Sequence, residues 1–344
     1  MASNKDTPSI KNMTSIKDMF KNLDDYMIAS IITVVTGVIC IAFGFYFWRM
    51  TNMQNKKCSE MDGLSKKNVS VHSVVPGDSL FKDYHIQTAY NCCSLGSYSN
   101  DYVGMCALQN VIKQGVRGLD FEIFSLDDMP IVSTSMVSSY YTKGTYNSID
   151  FNGVMNFIAN SAFSGYSNNS DDPIIIHLRF KSKNAKMYKN MVNILHNYES
   201  FLIDKKYNCN DPNFNLGMVP LKNLMRKIII IVNNENKSYE DNIEFMDYIN
   251  MISGTGFMRM HSYSEIKNMD SNQYNELIKY NKTNMTICIP DKGINPTNPD
   301  HTLFVDSGCN MIAMRYQHND NYLQFNKTFF ADKAFVKKDA KYIG

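Results

Sequence analysis

The stretch Gly115-Val116-Arg117-Gly118-Leu119-Asp120-Phe121-Glu122 decides how the rest of the chain is read. It follows directly on residues 102–114, where apolar side chains recur at helical spacing. It then runs into alternating apolar and charged residues, the period of a strand, which puts Asp120 and Glu122 on one face. Working outward, strands are expected at residues 84–90, 115–124, 130–135, 173–180, 227–234, 258–263, 285–290 and 311–317. Helices are expected between them at 102–114, 148–162, 184–204, 239–251 and 272–280. Eight strands alternating with helices over about 270 residues predict an α/β fold, a (β/α)8 TIM-type barrel with its chemistry at the C-terminal strand ends. The barrel is expected to span 75–344, with a first half at 75–207, an Asn- and Pro-rich linker at 208–220 and a second half at 221–344.

Composition narrows the function. Of 344 residues, 44% are hydrophobic, enough to bury a full-sized core. Lys plus Arg number 35 against 33 Asp plus Glu, so bulk nucleic-acid binding is excluded as a partner class. Asparagine makes up about a ninth of the chain, a bias that suits an AT-rich genome such as that of a parasite or a large DNA virus. The eight cysteines show no C-x-x-C pair and no zinc spacing, and are too few and too irregular to read as a disulfide framework. Six Asn-x-Ser/Thr sequons follow the apolar run, at Asn68, Asn168, Asn236, Asn281, Asn284 and Asn326, about the number chance supplies at this Asn content, so they do not assign a compartment.

Residues 27–48 carry no charge, and at 1.5 Å per residue the 22-residue run spans about 33 Å, the thickness of a bilayer core. Tyr26, Tyr46 and Trp48 mark its interfaces and Arg49 follows as an anchor. The expected organisation is a polar segment at 1–25 with a short helix at 15–23, a transmembrane helix at 26–49 and a flexible tether at 50–74. A single-pass membrane protein with an N-terminal anchor follows, the lipid bilayer being its first partner. Four lysines before the span against five basic residues after it leave the orientation open.

Asp83-Tyr84-His85-Ile86-Gln87-Thr88-Ala89-Tyr90-Asn91-Cys92-Cys93, the opening stretch, Pro130-Ile131-Val132 and Pro173-Ile174-Ile175-Ile176-His177-Leu178-Arg179 together resemble the first half of the catalytic barrel of phosphoinositide-specific phospholipase C. Met260-His261-Ser262-Tyr263-Ser264-Glu265, Ile289-Pro290, Ser307-Gly308-Cys309-Asn310-Met311-Ile312-Ala313-Met314 and Phe335-Val336-Lys337-Lys338 resemble the second half, in order and at matching spacing. The resemblance implies a phosphoric diester hydrolase of lipids that uses two histidines and one calcium ion.

This chain departs from that pattern. Tyr90 and Thr134 stand where the resemblance places the two histidines, and neither titrates near pH 7. Asn91, Asp120 and Glu122 match three calcium ligands, but the fourth position is Arg179, a fixed cation. Asp120 and Glu122 therefore read as a metal pair or as a salt-bridge pair with Arg179, the latter favoured. No cofactor is expected, calcium being the one ion the donor set admits. The phosphate-binding cations are replaced by Ile231, Asn233 and Ile287, while Ser262 and Ser264 survive as candidate substrate contacts. The reading is a membrane-anchored phospholipase C-like pseudoenzyme, a structural or binding module at a cellular or viral membrane with a phosphoinositide headgroup or a membrane or virion protein as partner. The alternative is an active enzyme with non-standard residues, for which His177, on the same strand face as Arg179, is the replacement base.

Overall fold

The computed structural model describes residues 25–64, 71–136 and 142–344. Helix α1 (Asp25–Leu64) contains one stretch, Tyr26–Gly63, long and apolar enough to cross a membrane. Its apolar side chains, Ile41 and Trp48 among them, stand exposed. The chain divides into two compact units, residues 1–55 and residues 56–344. The expected helix at 15–23 lies outside the described residues.

The second unit is built on eight parallel strands: β1 (Tyr84–Ala89), β2 (Gly118–Leu126), β5 (Ile174–Phe180), β6 (Ile228–Asn233), β7 (Met251–Ser253), β8 (Met258–Ser262), β9 (Met285–Ile289) and β10 (Met311–Met314). They pair in the order β7-β6-β5-β2-β1-β10-β9-β8, a nearly closed barrel whose seam lies between β7 and β8. The period of two decides what faces where. On β5, Ile174, Ile176, Leu178 and Phe180 join the outer core, packed with helices such as α2 (Met105–Lys113) and α4 (Ala185–His196). Ile175 faces the inner core with Ile86, Ile229, Ile287 and Met311. Two positions further along the same face stands His177, then Arg179, so the barrel interior changes from apolar to ionised toward its C-terminal mouth.

The opening stretch works as a hinge between elements. Gly115, just past the end of α2, has φ +84°, and its N–H reaches the Ile112 carbonyl at 2.9 Å, a left-handed stop that an L side chain resists. At Gly118 a Cβ would stand 2.8 Å from the Thr88 Cβ, so β1 and β2 approach closely only because this residue is glycine.

Several expectations are corrected. The strand expected at 130–135 is β3 (Met129–Ser133), which is not a barrel stave: it pairs antiparallel with β2 and with β4 (Ile149–Asp150). Asp127 and Asp128, at φ +50° and +63°, make the two-residue turn that folds it back. The eighth stave is β7, which starts at Met251 where the helix expected at 239–251 ends; within that segment only α5 (Ile243–Met246), capped by Asn242, is α-helix. The helix expected at 184–204 stops at His196. Three helices lay outside the expectation: α6 (Tyr263–Lys267), α8 (Thr302–Asp306) and α9 (Asn321–Phe329), whereas α3 (Phe151–Ser161) and α7 (Ser271–Tyr280) match it. The expected tether at 50–74 is helical to Leu64, and Val71 and Val74 are buried in the inner core. Cys58 and Cys106 form a disulfide, although the cysteine pattern suggested no framework.

Val74 is held by Asp172, which accepts its N–H at 2.8 Å and the Asn169 Nδ2 at 3.2 Å. Burial holds the Asp172 carboxyl up at about 6 despite these bonds and the charge of Arg117. The folded value lies above the unfolded one near 4, so this group's stabilisation is fully present below about pH 4 and is lost as pH rises through about 6. Asp172→Asn is expected to remove about 3 kcal/mol of that pH dependence. Urea unfolding of both proteins between pH 4 and 7 checks it, and identical slopes would contradict it.

Candidate functional site

The C-terminal mouth of the barrel is organised around Arg179. Its Nε donates to Asp120 Oδ2 at 2.9 Å and its Nη2 to Asp120 Oδ1 at 2.7 Å. Nη1 reaches Glu122 Oε1 at 2.6 Å, and Nη2 also reaches Asn91 Oδ1 at 2.8 Å. The strand register places them: Glu122 lies opposite Arg179 and Asp120 opposite His177. Asn91 is brought in by a left-handed turn after β1, at φ +46°, a conformation Asn tolerates, and its N–H donates to Asp120 at 3.1 Å. Arg179 is 5% exposed and Asp120 not at all, so these charge-assisted bonds lie in a low-dielectric interior. Burial alone would raise the Asp120 carboxyl, but Arg179 and the hydrogen bond from His177 outweigh it and hold it far below the ordinary carboxylate range. Burial likewise opposes the charge on Arg179, and the carboxylates beside it raise its pKa well above the ordinary value.

The residues matching the calcium ligands are thus together, but around a guanidinium. Calcium takes six to eight oxygen ligands at 2.3–2.6 Å, and the same oxygens of Asp120, Glu122 and Asn91 are already engaged by Arg179. Among the described residues no group of three or more His, Cys, Asp or Glu side chains could hold a metal ion. The donor set does not fit calcium.

The two positions of the expected acid–base pair hold Tyr90 and Thr134. Tyr90 is buried, with the Arg179 guanidinium 4.5 Å from its ring centroid and Tyr98 edge-on at 5.7 Å. Burial pushes its phenol well above 10, Arg179 pulling only part of the way back. The Thr134 hydroxyl donates to the Tyr98 carbonyl at 3.2 Å. His177 Nδ1 meets Asp120 Oδ2 at 2.7 Å and its Nε2 meets Ser253 Oγ at 2.8 Å. Ser253, His177 and Asp120 therefore follow the connectivity of a serine-hydrolase triad. All three are completely buried, and Asp120 is committed to Arg179, so the serine oxygen meets no substrate. His85 points away from the mouth, as alternation requires, and bonds the Cys309 carbonyl at 2.6 Å. His261 lies beside Glu265 at 3.7 Å.

The space over Arg179, walled by Tyr90, Tyr98, Glu122, Ser135, Met136 and Lys181 among others, measures about 20 Å³, room for one water. A larger cavity of about 630 Å³ opens beside it at the ends of β6 to β9, lined by Asn233, Gly254, Met260, Ser262, Ile289 and Lys292 among others. Ser262 faces it while capping α6, its Oγ accepting the Glu265 N–H. Ser264 is turned to Asp291, bonding it through N at 2.8 Å and Oγ at 2.6 Å. Ile231 and Ile287 are fully buried in the inner core, and Asn233 is uncharged, so these positions offer a phosphate no cation.

Sequence reasoning missed two residues. Ser253 lies on a strand of three residues, too short to show a period. Arg315 is completely buried, its Nε on Tyr98 Oη at 2.9 Å and its Nη2 on Asn295 Oδ1 at 2.7 Å, tying two mouth loops together. A lone charge at the end of an apolar run, Met311 to Tyr316, was its signal.

Residues 235–340 match the sequence profile of the Y domain of phosphatidylinositol-specific phospholipase C. The crystal structures of PLC21 from L. pealei and from S. officinalis each superpose on 80% of this chain at 16% identity, with a TM-score of 0.61. The chain spans 38% of the length of either protein. No curated protein matches it in sequence. The fold is therefore a phospholipase C-like TIM barrel. Residues 235–340 cover the staves β7 to β10 of this barrel.

Arg179→Met would leave two buried carboxylates without their shared guanidinium and is expected to cost about 3–5 kcal/mol, measured by urea unfolding at pH 7. The loss should shrink at acid pH, where Asp120, buried and no longer held down by Arg179, takes up a proton in the variant. Arg179→Glu should create an acidic cluster whose melting temperature rises with added calcium, an increase the unaltered protein does not show. A calcium-insensitive Arg179→Glu would contradict the assignment of these oxygens.

Proposed function

We propose that this chain is a membrane-anchored phospholipase C-like barrel that does not cleave phosphodiesters and serves as a binding or structural module at the bilayer. The observation that carries this reading is the Arg179 guanidinium bonded at once to Asp120, Glu122 and Asn91. Phosphodiester cleavage by an internal hydroxyl needs a base, an acid and cationic charge at the developing oxyanion. Here the base and acid positions hold a phenol of raised pKa and a hydroxyl bonded to a backbone carbonyl. Each lost proton-transfer group removes about 10²–10⁴ in rate. The α1 stretch Tyr26–Gly63 supports anchoring in a lipid bilayer. The 630 Å³ cavity beside the plug supports a polar ligand of low charge, such as the inositol ring of a lipid headgroup, since its one lining cation, Lys292, lies 3.6 Å from Glu235.

A second reading, an active phosphoric diester hydrolase, is favoured by the Asp120–His177–Ser253 chain alone. Incubating the full-length protein in mixed micelles with phosphatidylinositol and its phosphorylated forms, with calcium and with chelator, separates the two. The module predicts no release of water-soluble inositol phosphate under either condition. Release that Arg179 and Asp120 variants alter and His177→Asn abolishes would establish the enzyme instead.

A further inference from the structure

Cys58, in the last turns of α1, and Cys106, in the first turn of α2, are bridged with their Cα atoms 5.7 Å apart. The bridge sits in a built seat. The Lys57 ammonium reaches the Asp101 carboxylate at 2.5 Å, and Asp101 also accepts the Ser97 and Tyr102 N–H groups at 2.9 and 2.8 Å. The buried Met61 offers its carbonyl to Asn110 Nδ2. Such a bridge persists only where thiols are kept oxidised.

The sequons carry a second, independent observation. Asn281 is fully buried, its Nδ2 on the Ser307 carbonyl at 2.8 Å and its Oδ1 on Thr286 Oγ1 at 2.5 Å. Asn236 is 3% exposed with its Nδ2 on the Ser182 carbonyl at 2.8 Å, and Asn326 is fully buried with neither amide atom hydrogen-bonded. A glycan on any of the three cannot be housed in this fold. A lumen that glycosylates nascent chains would meet these sequons before they are buried, so passage through it would expose the chain to three modifications incompatible with folding.

We infer that the Cys58–Cys106 bridge is a permanent clasp of the mature protein, formed on a side of the membrane that oxidises thiols but does not N-glycosylate. The two thiols lose two protons and two electrons as the S–S bond forms. A disulfide-donor protein takes up both, its own disulfide being reduced to a dithiol by exchange. Neither observation depends on whether the barrel turns over a substrate.

The test uses the full-length protein in the native membranes of the cells that make it, acid-quenched, denatured and labelled with maleimide-polyethylene glycol before and after reduction. Six cysteines are free and two bridged, so six adducts are expected before reduction and eight after. The Cys58→Ser/Cys106→Ser double variant should give six in both lanes and still melt cooperatively, at a temperature lower by roughly 5–10 °C. An N-glycosidase should leave the mobility of the unaltered protein unchanged. Eight adducts before reduction would overturn the clasp. A glycosidase-sensitive shift would overturn the compartment while leaving the clasp standing.

Discussion

Two carboxylates on one inward face of one strand, buried together, require a cation, and in this protein the cation is covalently attached. Asp120 and Glu122 lie two residues apart on β2, and bringing them into the interior costs several kcal/mol each unless charge and hydrogen bonds are returned. Arg179, on the neighbouring stave β5, returns both through its planar fork. A diffusible metal leaves as its concentration falls, but a side chain does not. The same choice closes the site, because a guanidinium has no open coordination position and stacks on Tyr90 as well.

The layers below and above follow from that constraint. Ile175, Ile229 and Ile287 fill the lower barrel, so the ionised layer rests on an apolar floor. Above it, Arg315 ties the loops at Gly96 and Asn295, and only about 20 Å³ remains over Arg179. A larger cavity lies to one side, at β6 to β9, where amide, hydroxyl and thioether groups line it and its cation, Lys292, lies against Glu235. The centre of the barrel mouth is filled by the Arg179 ion-pair cluster.

Much of this was legible in the sequence, because strand alternation fixes which residues share a face. The shared face of Asp120 and Glu122 and the outward direction of His85 follow from a period of two, whereas Arg179 as their partner came from the position it holds in the family resemblance; the structure has the ion pair. What was not legible had short-range or purely tertiary causes. β3 carries the composition of a barrel strand, and only the backbone of Asp127 and Asp128 turns it into a hairpin partner. β7 is a stave of three residues hidden behind a broken helix. Cys58 and Cys106 are 48 residues apart with no motif joining them, and α1 had to run on to Leu64 before they could meet. Ser253 as the partner of His177 is set by the packing of β7 on β6, which no local pattern encodes.

The Arg179 guanidinium takes up the oxygens that a calcium ion would need. Calorimetric titration of the unaltered, full-length protein with calcium at pH 7 measures whether any capacity for the ion remains. No saturable heat is expected up to millimolar calcium. A single site of micromolar affinity that Asp120→Asn abolishes would contradict it.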